Sequence, residues 1–174
     1  MVIAAAGLTQ LLSGSSPHQA RTSQPPTAAP AIARFALARL GLRGRQPRDW
    51  HRAAHGDRLE LRSADGTMLL VFASPTSGSF VARVQHDAER ALLDSYKPAA
   101  IVTRRRGRLG AAAASPTEIL ATQRGHRIRI LSIAAASRWR TYTVALFSAL
   151  PPVDNRLAEA GQILSSVRFA APAG

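Results

Sequence analysis

Apolar residues recur along this chain at two different periods, and the change from one to the other marks its elements. Leu59-Glu60-Leu61-Arg62 alternates, Ala64-Asp65-Gly66 supplies turn chemistry, and an apolar run resumes over residues 68–73. That pattern predicts a β-hairpin. Ser74-Pro75-Thr76-Ser77-Gly78 breaks it. Ser79 has the side chain of an N-cap, and Phe80, Val84, Ala88, Ala91 and Leu92 then follow helical spacing. Arg83 with Asp87 and Arg90 with Asp94 sit four apart on the polar side of this helix, which Pro98 stops. Strand-like runs follow at residues 101–106, 117–123, 127–134 and 139–150. In the third, Arg127 and Arg129 alternate with Ile128 and Ile130, predicting one charged and one apolar face.

After Pro151-Pro152, Asp154 is placed to cap a last helix with Leu157, Ala160, Gly161 and Leu164 inward, and Val167-Arg168-Phe169 reads as a short closing strand. Residues 31–40 combine good helix formers with an alternating Phe35 and Leu37, and both assignments stand. The turn Pro47-Arg48-Asp49 leads to Trp50, an expected core anchor. Antiparallel strands with two separated helices make an α+β domain over residues 31–171.

What precedes the domain has another character. Residues 2–12 form an uncharged apolar run, long enough for the hydrophobic part of an export signal and too short to span a bilayer. No Lys or Arg precedes it, and Ser15 stands where a lipoprotein signal needs its lipid-accepting cysteine. The run reads either as a vestige of a signal or anchor, or as an alanine-rich tail. Residues 13–30, rich in Ser, Pro, Thr and Gln, are too polar to order themselves and read as a disordered linker. A chain starting at Ala31 is therefore expected to melt at the temperature of the full chain, as calorimetry would show.

Charge changes the picture more than composition does. The net charge is +13, yet residues 47–98 and 151–174 are each balanced. Residues 1–46 hold Arg21, Arg34, Arg39, Arg43 and Arg45 with no acid, a basic arm. Residues 99–150 hold nine arginines against Glu118 alone. This asymmetry points to an anionic partner. The absence of cysteine excludes disulfides, thiolate metal sites and a cysteine nucleophile.

Candidate anion-binding residues are Arg104, Arg105, Arg106 and Arg108, joined by Arg127, Arg129, Arg138 and Arg140 if the strands bring them together. Guanidiniums clustered this way grip phosphate or carboxylate bidentately. The same run also suits a solvated strand edge that resists aggregation. Replacing Arg104, Arg105 and Arg106 with Ser is expected to leave the fold unchanged. Only Trp139 and Tyr142 interleave with these arginines, too few stacking rings for an RNA-binding surface. Asp49, His51, His55 and Asp57 form a weak metal candidate whose spacing matches no strong motif. Motifs for a nucleophile elbow, a His-Glu-x-x-His zinc site and a phosphate loop are all missing, and no cofactor is expected.

Pro47-x-x-Trp50, the hairpin Leu59 to Gly66, the helix, the block of strands and the closing Ile163-Leu164-Ser165-Ser166-Val167-Arg168-Phe169 together resemble the PsbP-like family. That family includes extrinsic proteins of the photosynthetic oxygen-evolving complex, a Ran-binding nucleotide-release factor and exported bacterial lipoproteins. The resemblance covers roughly residues 42–169 and implies an α/β/α sandwich and a non-enzymatic binding or assembly role. Taken with the charge, it leads to an exported or membrane-tethered module for lipid head groups, an envelope polymer or an acidic protein. The alternatives are an intracellular nucleic-acid-associated protein and a small metal-dependent hydrolase.

Overall fold

The computed structural model describes residues 31–74 and 80–171. The apolar run 2–12, the linker 13–30, the break at 75–78 and the Ser79 cap lie outside these residues. The elements are β1 (Ile32–Leu37), a 3-10 turn (Ala38–Leu40), β2 (Leu42–Pro47), β3 (His51–His55), β4 (Arg58–Arg62), β5 (Met68–Ala73) and α1 (Val81–Ser95). They continue with β6 (Ala99–Arg104), β7 (Gly107–Leu109), β8 (Ala112–Ala114), β9 (Thr117–Gln123), β10 (His126–Ala136), β11 (Thr141–Ala149), α2 (Asp154–Ser166) and β12 (Arg168–Phe169).

The expected α+β class holds. A nine-stranded sheet runs β3-β4-β5-β11-β10, where β10 pairs with β9 over its first half and with β8 near its end. β6 pairs with β9, and β7 with β8. A second, three-stranded sheet has the order β1-β2-β12.

Side-chain alternation on the long strands gives each face its own cover. Leu59, Leu61, Leu70, Phe72, Ile133, Val144 and Leu146 pack with Phe35 and Leu42 of the small sheet and with Ala160, Ile163 and Val167. On the opposite face Ile119, Ala121 and Ile130 meet Leu92 and Leu93 of α1 and Tyr96 just after it. The result is a large sheet between α1 on one side and α2 with the small sheet on the other. Trp50 is 3 % exposed, as expected of a core anchor, and its Nε1 donates to Glu159 Oε2 at 2.8 Å.

The ambiguity of residues 31–40 resolves toward strand, because β1 finds six partners along β2. Phe35 faces Gly44 across that pair, and its ring fills the space a Cβ at Gly44 would need, at 2.5 Å. The run read as 101–106 ends at Arg104, and that read from 139 begins at Thr141. β3, β7 and β8 carry too little periodicity to have been expected.

α1 is rotated from the expected setting, whereas α2 keeps Leu157, Ala160 and Leu164 against the core as expected. Phe80 is 84 % exposed and Ala91 is exposed, whereas Gln85 and Glu89 are buried with Val84. α1 lies over Thr117 and Ser132, so the polar side chains are the ones that find partners beneath it. In α2, Gly161 is exposed and Ile163 buried. Asp154 is already helical, and Val153 occupies the cap position without a side-chain bond. Asp94 pairs with Lys97 at 3.6 Å rather than with Arg90, while Arg83 and Asp87 stand 3.9 Å apart.

Candidate anion-binding surface

The eight arginines singled out in the sequence do not form one array. Arg104 leaves the end of β6 toward α1, where its Nη2 donates to Glu89 Oε2 at 2.8 Å. Glu89 also accepts from Thr117 Oγ1 at 2.5 Å and from Gln85 Nε2 at 2.8 Å. Burial pushes the Glu89 carboxyl up, but the bonds from Arg104, Thr117 and Gln85 outweigh it and hold the group below the ordinary range. On the other face of the sheet Glu118 sits between Arg105 at 3.0 Å and Arg129 at 2.8 Å. Burial opposes ionisation there too, and the two guanidiniums prevail. Arg108 folds back to donate to Ala111 O at 2.6 Å, and Arg138 lies 4.2 Å from the centre of the Trp139 ring. Arg106 and Arg127 are exposed and Arg140 half-buried; none of the three is in an ion pair among the described residues. Arg104 and Arg105 thus each hold a shielded carboxylate, while Arg106 holds none among the described residues.

Acids are spent elsewhere in the same way. Arg156 of α2 gathers Asp49 at 2.9 Å, Asp65 at 2.9 Å and Glu159 at 2.7 Å. These side chains raise its affinity for its proton and tie the turn before β3, the β4–β5 turn and α2 to one point. Arg58–Glu60 and the helix pairs use three more. Eight of the ten acids are therefore in ion pairs, and among the described residues Asp57 and Asp154 make none.

The uncompensated cluster lies where the sequence suggested a basic arm. Arg34 of β1 stands directly opposite Arg45 of β2, and Arg43 of β2 opposite Arg168 of β12. Residues opposite one another across a pair share a face, as do residues two apart on a strand, so all four arginines project from the outer face of the small sheet. All four are exposed, and with Ala36 and Ser166 they line a groove of about 410 Å3 that contains no carboxylate. Ser166 completes the edge of β2 beyond the short β12: its hydroxyl accepts from Arg45 N at 2.8 Å and donates to Ile163 O at 2.8 Å. The charge count of residues 1–46 held this signal. What hid it was the pairing of β2 with a strand at the far end of the chain.

A second basic concavity, about 540 Å3, opens between the β4–β5 turn, the end of α1 and the β9–β10 turn. Arg62, Arg124 and His126 stand at its rim, and Tyr96 and Phe147, with ring centres 5.7 Å apart, form its floor. Such a lining suits an anion with an apolar body. The metal candidates do not converge. Asp49 is held by Arg156, His51 and His55 lie exposed at the two ends of the edge strand β3, and Asp57 is in the following turn. Among the described residues no three His, Asp or Glu side chains are grouped to hold a metal ion. Nor is any described helix long and apolar enough to cross a membrane.

No family profile and no curated protein matches the chain. Solved structures do. The cyanobacterial PsbP (CyanoP) of Synechocystis superposes with a TM-score of 0.59 at 13 % identity, over 84 % of this chain and 97 % of that one. LpqN, involved in cell envelope biogenesis of Mycobacterium tuberculosis, gives 0.55 at 12 % identity over 80 % and 91 %. A Bacteroides thetaiotaomicron protein gives 0.54 at 13 % identity over 78 % of this chain, which spans only 47 % of that one. The domain has a PsbP-like fold.

Proposed function

We propose that this chain is a non-enzymatic binding module, exported or membrane-tethered, that presents arginine to an anionic partner. The observation that carries the reading is the set Arg34, Arg43, Arg45 and Arg168, four exposed guanidiniums on one sheet face, while seven of the chain's ten acids are ion-paired with other arginines among the described residues. Like charges placed directly opposite one another weaken a strand pair, so the sheet carries a cost that an anion offsets. Each guanidinium brings five donors suited to the paired oxygens of phosphate, sulfate or carboxylate. The link of one neighbour, LpqN, to cell envelope biogenesis supports an envelope setting. So does the apolar run followed by a polar linker ahead of the domain.

The nucleic-acid reading draws on the same charge but lacks stacking rings: on this face Phe35 points into the core and no aromatic side chain is exposed. The metal-dependent hydrolase has no convergent ligand set behind it among the described residues.

Heparin, a sulfated polyanion, tests the reading. The full chain is expected to be retained on immobilised heparin and to elute in a salt gradient. The variant R34S/R43S/R45S/R168S should elute at much lower salt than one with four other arginines removed, R124S/R127S/R138S/R140S. Equal elution of the two variants would reduce the effect to net charge and overturn the assignment to this face.

A further inference from the structure

We infer that the outer face of the small sheet docks on a bilayer surface carrying anionic phospholipid, its four guanidiniums gripping head-group phosphates. The inference rests on the proposed function and names the partner of the same face.

The shape of the face comes first. Arg34, Arg45, Arg43 and Arg168 step across three adjacent strands, each spaced from the next by one strand separation or one two-residue repeat. The charges are therefore spread over an open sheet surface, as an array of separate phosphates requires, and are not focused into one pocket. The groove they line is completed by Phe35, Ala36, Gly44 and Ser166, and brings no carboxylate to repel a phosphate.

Apolar contact is provided at the same place. Ile32, at the start of β1, is 52 % exposed. It faces Pro47 in the register and lies two residues from Arg34, so it shares the arginine face. An exposed apolar side chain beside guanidiniums suits the boundary between head groups and acyl chains. Covalent connection adds a further argument. β1 opens the described domain, so residues 1–30, with the apolar run 2–12 and Arg21, join it at this sheet. Stable attachment to a membrane takes two signals, commonly one apolar and one polybasic, and this chain's sequence carries an apolar run ahead of the strand that bears Arg34. Among the described residues no aromatic side chain is exposed beside the four arginines, which favours phosphates presented by a lipid surface over those of a single strand whose bases seek rings.

Co-sedimentation of the full chain with vesicles decides the matter, using pure phosphatidylcholine against phosphatidylcholine with a third of phosphatidylglycerol, across a salt series. Wild type is expected to prefer the anionic vesicles and to lose that preference at high salt. Each arginine removed from the face should lower the anionic partition coefficient about fivefold, and all four several hundredfold. R124S/R127S/R138S/R140S, with the same net charge as the four-site variant, should keep most of the preference. R34E/R43E sets a carboxylate opposite Arg45 and another opposite Arg168, so cross-strand pairs support the sheet and Arg168 keeps its bonds to Ser165 O and Val167 O while the face becomes neutral. It should melt no lower than wild type and lose the vesicle preference, which covers the case of a four-site variant that folds poorly.

Wild type indifferent to phosphatidylglycerol, or both four-site variants losing equally, would overturn the inference. Retention on heparin that depends on these arginines, without any vesicle preference, would leave the proposed function standing and sink the membrane assignment. Displacement from vesicles by single-stranded oligonucleotide at equal phosphate concentration would transfer the face to nucleic acid.

Discussion

Trp50 joins two kinds of cohesion in one side chain. Its ring is in the core with Leu59, Leu61 and Ala160, and its indole N–H donates to Glu159, a member of the carboxylate group around Arg156. Trp50→Ala is expected to cost about 3–5 kcal/mol in denaturant unfolding, through the cavity and the lost anchor of Glu159. A cost within error of zero would mean the core closes without it. Arg104 and Arg106 separate what adjacent sequence suggests is one motif. Arg104→Ser should lower the melting temperature and raise the Glu89 carboxyl pKa toward its ordinary value, whereas Arg106→Ser should change neither. Glu89→Ala, which strands the donors of Thr117 and Gln85 beneath α1, should cost about 1–3 kcal/mol. Carboxyl NMR titration alongside thermal melts would separate these effects.

Elements joined through single contacts show where the fold is vulnerable. The β7–β8 turn is pinned to α2 by Gly110, whose N–H donates to Leu164 O at 3.0 Å with φ at +57°. A Cβ there would stand 2.0 Å from Val167 O. Gly56, in the β3–β4 turn, has a similar φ of +56° but open space around it. Gly56→Ala should therefore cost only the left-handed strain, about 1–2 kcal/mol, while Gly110→Ala should cost clearly more and loosen α2. Equal costs in chemical denaturation would show that the close approach to Val167 relaxes freely. At this scale the sequence was readable where one periodicity ran long enough: the β4–β5 hairpin, β9, the middle of β10 and the presence of both helices. Helix rotation was not, because Gln85 and Glu89 turn inward only once Thr117 and Ser132 lie beneath them. β3, β7 and β8 were hidden by their brevity and their small or charged residues. Which of the eight arginines are ion-paired was not legible, because Glu89 and Glu118, distant in sequence, take up three of them, and the setting of Arg43 beside Arg168 depends on the pairing with β12.

Over the whole molecule, three depressed carboxyls tie stability to pH. Asp65 is lowered chiefly by the Ser63 hydroxyl and the Thr67 N–H, with Arg156 adding to them, while Glu89 and Glu118 are lowered by arginine bonds that outweigh burial. A carboxyl that ionises more readily when folded binds fewer protons in the native state. Its stabilisation is complete above the unfolded pKa of about 4 and is lost as pH falls through the folded value. Unfolding midpoints should thus be flat from neutral pH to about 5 and fall steadily below that, steepened by self-repulsion as the net charge climbs above +13. A midpoint unchanged at pH 3 would contradict the ion-pair assignments.

The small sheet is closed by the last strand of the domain, which joins it beside Ser166, 121 residues beyond its partner Arg45. A ribosome or an export channel releases β1 and β2 early, and until β12 arrives these strands form at most a hairpin with three guanidiniums and an open edge. The fourth arginine and the completed rim come with the final residues. The arginine array therefore carries a timer: the four-arginine face is assembled only after the whole large sheet and α2 have been made.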